Sequence, residues 1–325
     1  MKRGLLLGSF LPPHAGHVFT VESAQALVDE LTILICARSG DTIPGETRLA
    51  WLQEMFPRAR VVLDPAAPSV AIDDPDFSGP WARAVRALHP ERVDTLFAPP
   101  RFGNQLALEL GAWPATIDPA RCTVPISSED VRDRPMEHWR FLPPPVRAHY
   151  ATTICLHGPE STGKSTLAPK LAQHYETLYV PEYGRTHCES FGLALTMEDL
   201  LVIGRTHCAM TQAARRQCNK RLILDTDPLM TAVWADMLFG HRDPWFDAFK
   251  GTADFYLLLD IDMPWIDDGT RFFGDAQRRQ QFFDLSKAEL DRRGLPYAVI
   301  GGRAPGRFDR AVEAIDAAGL GPGLG

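Results

Sequence analysis

The sequence predicts two α/β domains in tandem, each built on a doubly wound parallel sheet. Three observations carry this reading. Apolar, strand-like runs alternate with helix-like stretches through both halves of the 325-residue chain. Each half begins with a strand, then a glycine-containing loop of the kind that handles phosphate, then a helix. Between the halves lies Pro143-Pro144-Pro145, which cannot continue a helix and is expected to be extended, so the domains are taken as 1–145 and 146–325.

In the first half the apolar runs place strands at 4–7, 31–37, 59–63 and 93–98, with helices at 17–28, 46–56, 81–88 and 104–110. Residues 124–132 form a further strand-to-helix junction. The second half restarts with a strand at 153–156 and a helix at 166–175. Strands follow at 177–180, 222–224, 255–261 and 297–300, with a final helix at 307–318. The glycine-rich tail 319–325 is expected to fray.

Hydrophobic residues make up 45% and charged residues 23%, the composition of an ordinary soluble globular protein. With 34 basic against 41 acidic residues, the net charge of −7 argues against a general nucleic-acid-binding surface. No apolar run reaches membrane-spanning length and the N-terminal apolar stretch is too short for a signal peptide, so a cytoplasmic protein is expected. Its six cysteines are then expected as reduced thiols. Gly-Arg-Thr-His-Cys occurs at 184–188 and again at 204–208, but adjacent helical residues point in different directions, and zinc is not expected. The oligomeric state is left open, a homo-oligomer included.

The stronger motif is Gly158-Pro-Glu-Ser-Thr-Gly163-Lys164-Ser165, which fits G-x-x-x-x-G-K-[ST] without a mismatch. Its backbone N–H groups would surround a triphosphate, with Thr166 opening the helix behind. Lys164 would reach the outer phosphates and the Ser165 hydroxyl would ligand Mg²⁺. Phosphoryl transfer from ATP also needs a carboxylate near the metal and one near the attacking hydroxyl. Asp225, ending an apolar strand, suits the first role and Glu182 the second, while Asp227 could hold a substrate ribose. Arg271, Arg278 and Arg279, around Gly269, read as a lid that neutralises phosphate charge, and Trp265 as a stacking surface.

In the first half, Gly8-Ser9-Phe10-Leu-Pro-Pro-His14-Ala-Gly16-His17 suits adenylyl transfer, with two imidazoles at a helix N-terminus to meet developing phosphate charge. Ser127 and Ser128 offer hydroxyls at the later junction, and Arg132 lies one turn on.

Together these residues resemble the NadR-type bifunctional enzymes of NAD synthesis, from Gly8 to about Ala318. The adenylyltransferase pattern G-x-F-x-P-x-H-x-G-H falls on Gly8, Phe10, Pro12, His14, Gly16 and His17, and Ile126-Ser127-Ser128-x-x-Val131-Arg132 looks like that family's second signature. The resemblance implies a Rossmann-like nucleotidyltransferase followed by a P-loop kinase. It implies phosphorylation of ribosylnicotinamide to nicotinamide mononucleotide, then adenylylation of that product to NAD. It puts Tyr183, Arg185, Asp227, Trp265 and Asp268 at the nucleoside. The family's helix-turn-helix repressor module is not expected, since the first strand begins at residue 3. Two positions depart from the pattern: Glu129 stands where Thr is usual, and Ala98-Pro99-Pro100 replaces Thr-Ser-Glu. A carboxylate beside the phosphates costs roughly 1–4 kcal/mol at a partly exposed site. The readings left open are a bifunctional enzyme, a kinase with a weakened or binding-only adenylyltransferase half, and a non-catalytic nucleotide sensor.

Overall fold

The structure, a computed structural model, describes residues 1–68, 77–265, 272–303 and 306–320. It consists of two compact units, Met1–Val146 and Arg147–Gly325.

The first unit runs β1 (Arg3–Gly8), α1 (Ala15–Leu27), β2 (Glu30–Cys36), α2 (Gly45–Met55), β3 (Arg60–Asp64), α3 (Ser78–Leu88), β4 (Thr95–Phe97), α4 (Pro100–Leu110), β5 (Trp113–Ala115) and α5 (Ser128–Asp133). The sheet is parallel throughout, in the order β3-β2-β1-β4-β5. Alternation along each strand sends side chains to opposite faces. Leu5 and Leu7 pack with Leu96, Trp81, Val85 and Phe102, under α3 and α4. Leu6 packs the other way, with Ile33, Val21, Leu52 and Phe97, under α1 and α2. Strand order reverses at β1, which has β2 on one side and β4 on the other, so a crevice opens beyond their carboxyl ends.

In the second unit, after α6 (Pro144–Tyr150), come β6 (Thr152–His157), α7 (Lys164–His174), β7 (Tyr179–Val180), α8 (Tyr183–Phe191), α9 (Met197–Arg215), β8 (Arg221–Asp225), α10 (Pro228–Phe239), α11 (Pro244–Ala248), β9 (Phe255–Leu259), α12 (Ala276–Arg293), β10 (Tyr297–Ile300) and α13 (Gly306–Ala317). The sheet is again parallel, in the order β10-β9-β6-β8-β7. Ile154 and Leu156 of the central strand pack with Leu167 and Leu171 of α7 and Ile315 of α13.

Two expectations need correction. The proline run is not extended: a helix starts at Pro144, because proline's fixed φ and missing N–H are both tolerated in a first helical turn. Strand β5 escapes the sequence reading because it is three residues long, carries Pro114 and lies at the sheet edge.

Candidate functional sites

In the second unit the phosphate loop links β6 to α7. Gly158 has φ +124°, and a Cβ there would lie 2.8 Å from the Leu259 carbonyl oxygen, so only glycine fits. Lys164 is buried, and its Nζ donates to the carbonyls of Gly158 and Pro159, each at 2.9 Å. The lysine is thus folded onto the loop that it would leave for a phosphate. The Ser165 side chain stands beside the Asp225 carboxylate at the end of β8 and favours its ionised form. Asp225 is buried, and among the described residues its Oδ1 has no partner. Burial raises its pKa against the opposing pull of Lys164.

Glu182 is the N-cap residue of α8, yet its side chain makes no capping hydrogen bond. It lines the same cavity as Lys164, Ser165, Thr166, Tyr183 and Arg185. Burial pushes its carboxyl up to about 7. Asp227 behaves differently. Its Oδ1 accepts from the N–H groups of Leu229 and Met230, and its Oδ2 accepts from the Tyr256 hydroxyl at 2.6 Å. Both oxygens are spent on capping α10 and on the core, so the expected ribose contact is replaced by a structural one.

The arginines of the expected lid separate. Arg271, with Asp268 and Gly269, lies outside the described residues. Arg278 is exposed and faces Asp275. Arg279 is buried, its Nη2 donating to the Met263 carbonyl at 3.0 Å. Trp265 packs its ring against Gly274 and is not among the residues lining the cavity. The neighbouring segment is tied to the phosphate loop by Glu160, which accepts from the N–H groups of Phe272 and Phe273 at 3.1 Å.

Thr226 and His207 are among the cavity residues that escaped the sequence reading. Thr226 is buried at φ +75°, the kind of strained backbone that collects at functional sites. His207 is buried and lines the cavity with Leu200 and Ile203. That spacing of three and four residues is a helix face that the zinc question concealed. Its counterpart His187 pairs with Asp199 at 3.0 Å.

In the first unit, His14 caps α1: its Nδ1 accepts from the Gly16 N–H at 3.1 Å, while its own N–H donates to His17 Nδ1 at 3.3 Å. Both imidazoles therefore carry their proton on Nε2. The rings lie 3.9 Å apart, and a Cβ on Gly16 would come within 3.0 Å of His14. Burial, then the charge of Arg121, lowers His14 to about 4; burial and His14 lower His17 well below the usual value. At neutral pH both are neutral donors.

The loop between β1 and α1 is braced through its carbonyls. Fully buried Arg48 donates to Ser9 O at 2.6 Å and pairs with Asp41. Arg132 donates to Leu11 O at 2.6 Å, and the Ser128 hydroxyl donates to Pro12 O at 3.3 Å. Ser127 closes a capping box with Asp130. Arg132, Ser127 and Ser128 thus hold structure in this state. Phe10 also differs from expectation: its ring is fully buried in the core, 4.9 Å from His17, leaving only its backbone to meet a ligand. Gly8, Ser9, His14, His17, Ser127 and Glu129 line one cavity at the carboxyl end of β1.

Residues 153–307 match the family described as AAA domain. The trifunctional NAD biosynthesis/regulator protein NadR of Escherichia coli is 26% identical over 96% of this chain and 82% of its own length. The nicotinamide-nucleotide adenylyltransferase of Thermococcus onnurineus is 28% identical over 47% of this chain and 83% of its own. A crystal structure of NadR protein in complex with NR aligns over 97% of this chain and 95% of that one, at TM-score 0.76 and 21% identity. In sequence across both units, and in fold, this chain is similar to the NadR proteins.

Proposed function

We propose that the chain is a bifunctional enzyme of NAD biosynthesis. The unit Arg147–Gly325 phosphorylates the 5′-hydroxyl of ribosylnicotinamide with ATP, and the unit Met1–Val146 transfers AMP from ATP to the resulting mononucleotide. The observation that carries the kinase reading is Ser165 beside the buried Asp225 carboxylate at the mouth of a phosphate loop whose cavity also holds an uncommitted Glu182. In that reaction the hydroxyl oxygen bonds to the γ-phosphorus, ADP departs, and Glu182 receives the hydroxyl proton. Lys164 leaves its two loop carbonyls to follow the transferring phosphoryl group, and Arg185 faces the same space.

Mg²⁺ fits the donors present. A hydroxyl and one buried carboxylate with an unpartnered oxygen suit an ion that completes its shell with water and phosphate oxygens. Bound there by Ser165 and Asp225, it would neutralise phosphate charge.

In the first unit a phosphate oxygen of nicotinamide mononucleotide attacks the α-phosphorus of ATP and pyrophosphate leaves. The two Nε2–H groups of His14 and His17 supply donors to the phosphate oxygens in that cavity. Glu129, exposed in the same cavity, supports a second reading in which this half is the slower. The relatives' names, the two sets of motifs and the two cavities support the first reading. Among the described residues no helix is long and apolar enough to cross a membrane, and the cysteines are free, in keeping with the cytoplasm. The test is to silence each half alone: His17→Ala should abolish pyrophosphate release from ATP and nicotinamide mononucleotide while ADP formation from ribosylnicotinamide continues. Loss of both activities, or of neither, would refute the assignment of the two halves.

A further inference from the structure

We propose that Arg121 is a phosphate-binding residue of the first unit, engaging the triphosphate of ATP as pyrophosphate departs. The proposal rests on the adenylyl-transfer reading of that unit, and it adds a residue outside both sequence signatures.

Four observations point to it. Arg121 lines the cavity that holds His14, His17 and Ser127. Its positive charge pulls both imidazoles of that cavity toward the neutral form. It is exposed, and among the described residues no hydrogen bond or ion pair satisfies it. Arg132, by contrast, is committed to the Leu11 carbonyl. Finally, its loop is built rather than loose. The Asp118 carboxylate accepts from the N–H groups of Cys122, Thr123 and Val124 at 2.8, 3.0 and 3.2 Å, and Arg121 N–H donates to Asp118 O at 2.9 Å. Asp118 and Arg121 are both held at positive φ, +46° and +52°. Such strain persists where the surroundings fix it, and here it holds an unpaired cation in the cavity.

A guanidinium in this place has a clear chemical use. The histidines are neutral and Glu129 brings negative charge to the same cavity, so a triphosphate needs a cation that neither signature leaves free. Arg121 supplies planar, charge-assisted donors for phosphate oxygens.

The test compares full-length wild type with Arg121→Ala and Arg121→Lys. In pyrophosphate release from ATP and nicotinamide mononucleotide, Arg121→Ala should raise KM for ATP about 10- to 100-fold, with Arg121→Lys recovering part of the loss. Thermal unfolding and ADP formation from ribosylnicotinamide should not change, since the side chain has no hydrogen-bond or ion-pair partner among the described residues and lies in the other unit. A KM for ATP within twofold of wild type would overturn the proposal, as would a lowered melting temperature that accounts for the loss. Should wild type release no pyrophosphate, the adenylyl-transfer reading fails. The arginine is then read by calorimetry with inorganic tripolyphosphate in a Lys164→Ala background, which weakens the second unit's phosphate loop. Weaker binding on adding Arg121→Ala sustains the phosphate site, and equal binding refutes it.

Discussion

Replacing Glu182 by Gln removes one charge from the kinase cavity and keeps the shape of the side chain. As a proton acceptor Glu182 must be ionised, and burial holds its carboxyl up near 7. The wild-type kinase rate should therefore rise with pH through about 7 and level off above it. Glu182→Gln should lower kcat by ~10²–10⁴ and remove that rise, with KM for ATP little changed. Stability should move the other way. A carboxyl with a folded-state pKa raised above 4.5 contributes stability that is complete below that value and lost as pH rises through about 7. The gap between 4.5 and about 7, at roughly 1.36 kcal/mol for each pH unit, is on the order of 3 kcal/mol at pH 8, an upper bound since the group is partly accessible. The variant should then unfold at higher temperature than wild type at pH 8 and at nearly the same temperature at pH 4.5. Calorimetric melts at both pH values, with ADP formation from pH 5.5 to 9, make the check. A variant with unchanged kcat would remove Glu182 from the chemistry. A variant that loses ATP affinity at intact kcat would move it to the metal shell.

Other expectations follow from the same geometry. Lys164→Ala should cut the kinase kcat by orders of magnitude, and because Nζ also holds two loop carbonyls, it should cost about 1–2 kcal/mol of stability, read by denaturant titration. Asp227→Ala should act on the fold, costing about 2–4 kcal/mol through a lost helix cap and a stranded Tyr256 hydroxyl; a changed KM for ribosylnicotinamide at full stability would restore the ribose role. Glu129→Thr should lower KM for ATP in adenylyl transfer by a few-fold at most, because the exposed carboxylate is screened, and should leave the kinase alone.

All strands but the edge strand β5 were legible because buried parallel strands are short apolar runs with few rivals in sequence, and the phosphate loop was legible because glycine spacing encodes backbone shape. Side-chain commitments were not. Glu182 and Asp227 both follow strands and precede helices, and only the structure shows that Asp227 is spent on its helix while Glu182 is not. Arg132 and Arg121 are eleven residues apart with opposite fates, one bonded to a loop carbonyl and the other held open by a turn that Asp118 closes. Helix α9 escaped notice because its polar and apolar residues are poorly segregated, although the Thr196–Asp199 capping box marks its start. Arg278 and Arg279 follow one another in sequence and point to solvent and to the Met263 carbonyl respectively, as neighbours on a helix must.

The account turns on both halves acting in series on one small molecule. Purified full-length protein given ATP, Mg²⁺ and ribosylnicotinamide should form nicotinamide mononucleotide and then NAD, with one ADP and one pyrophosphate released for each NAD, followed by chromatography of the reaction over time. Nicotinamide mononucleotide accumulating with no NAD would contradict the bifunctional claim and leave a kinase alone. Neither product forming would contradict the whole account.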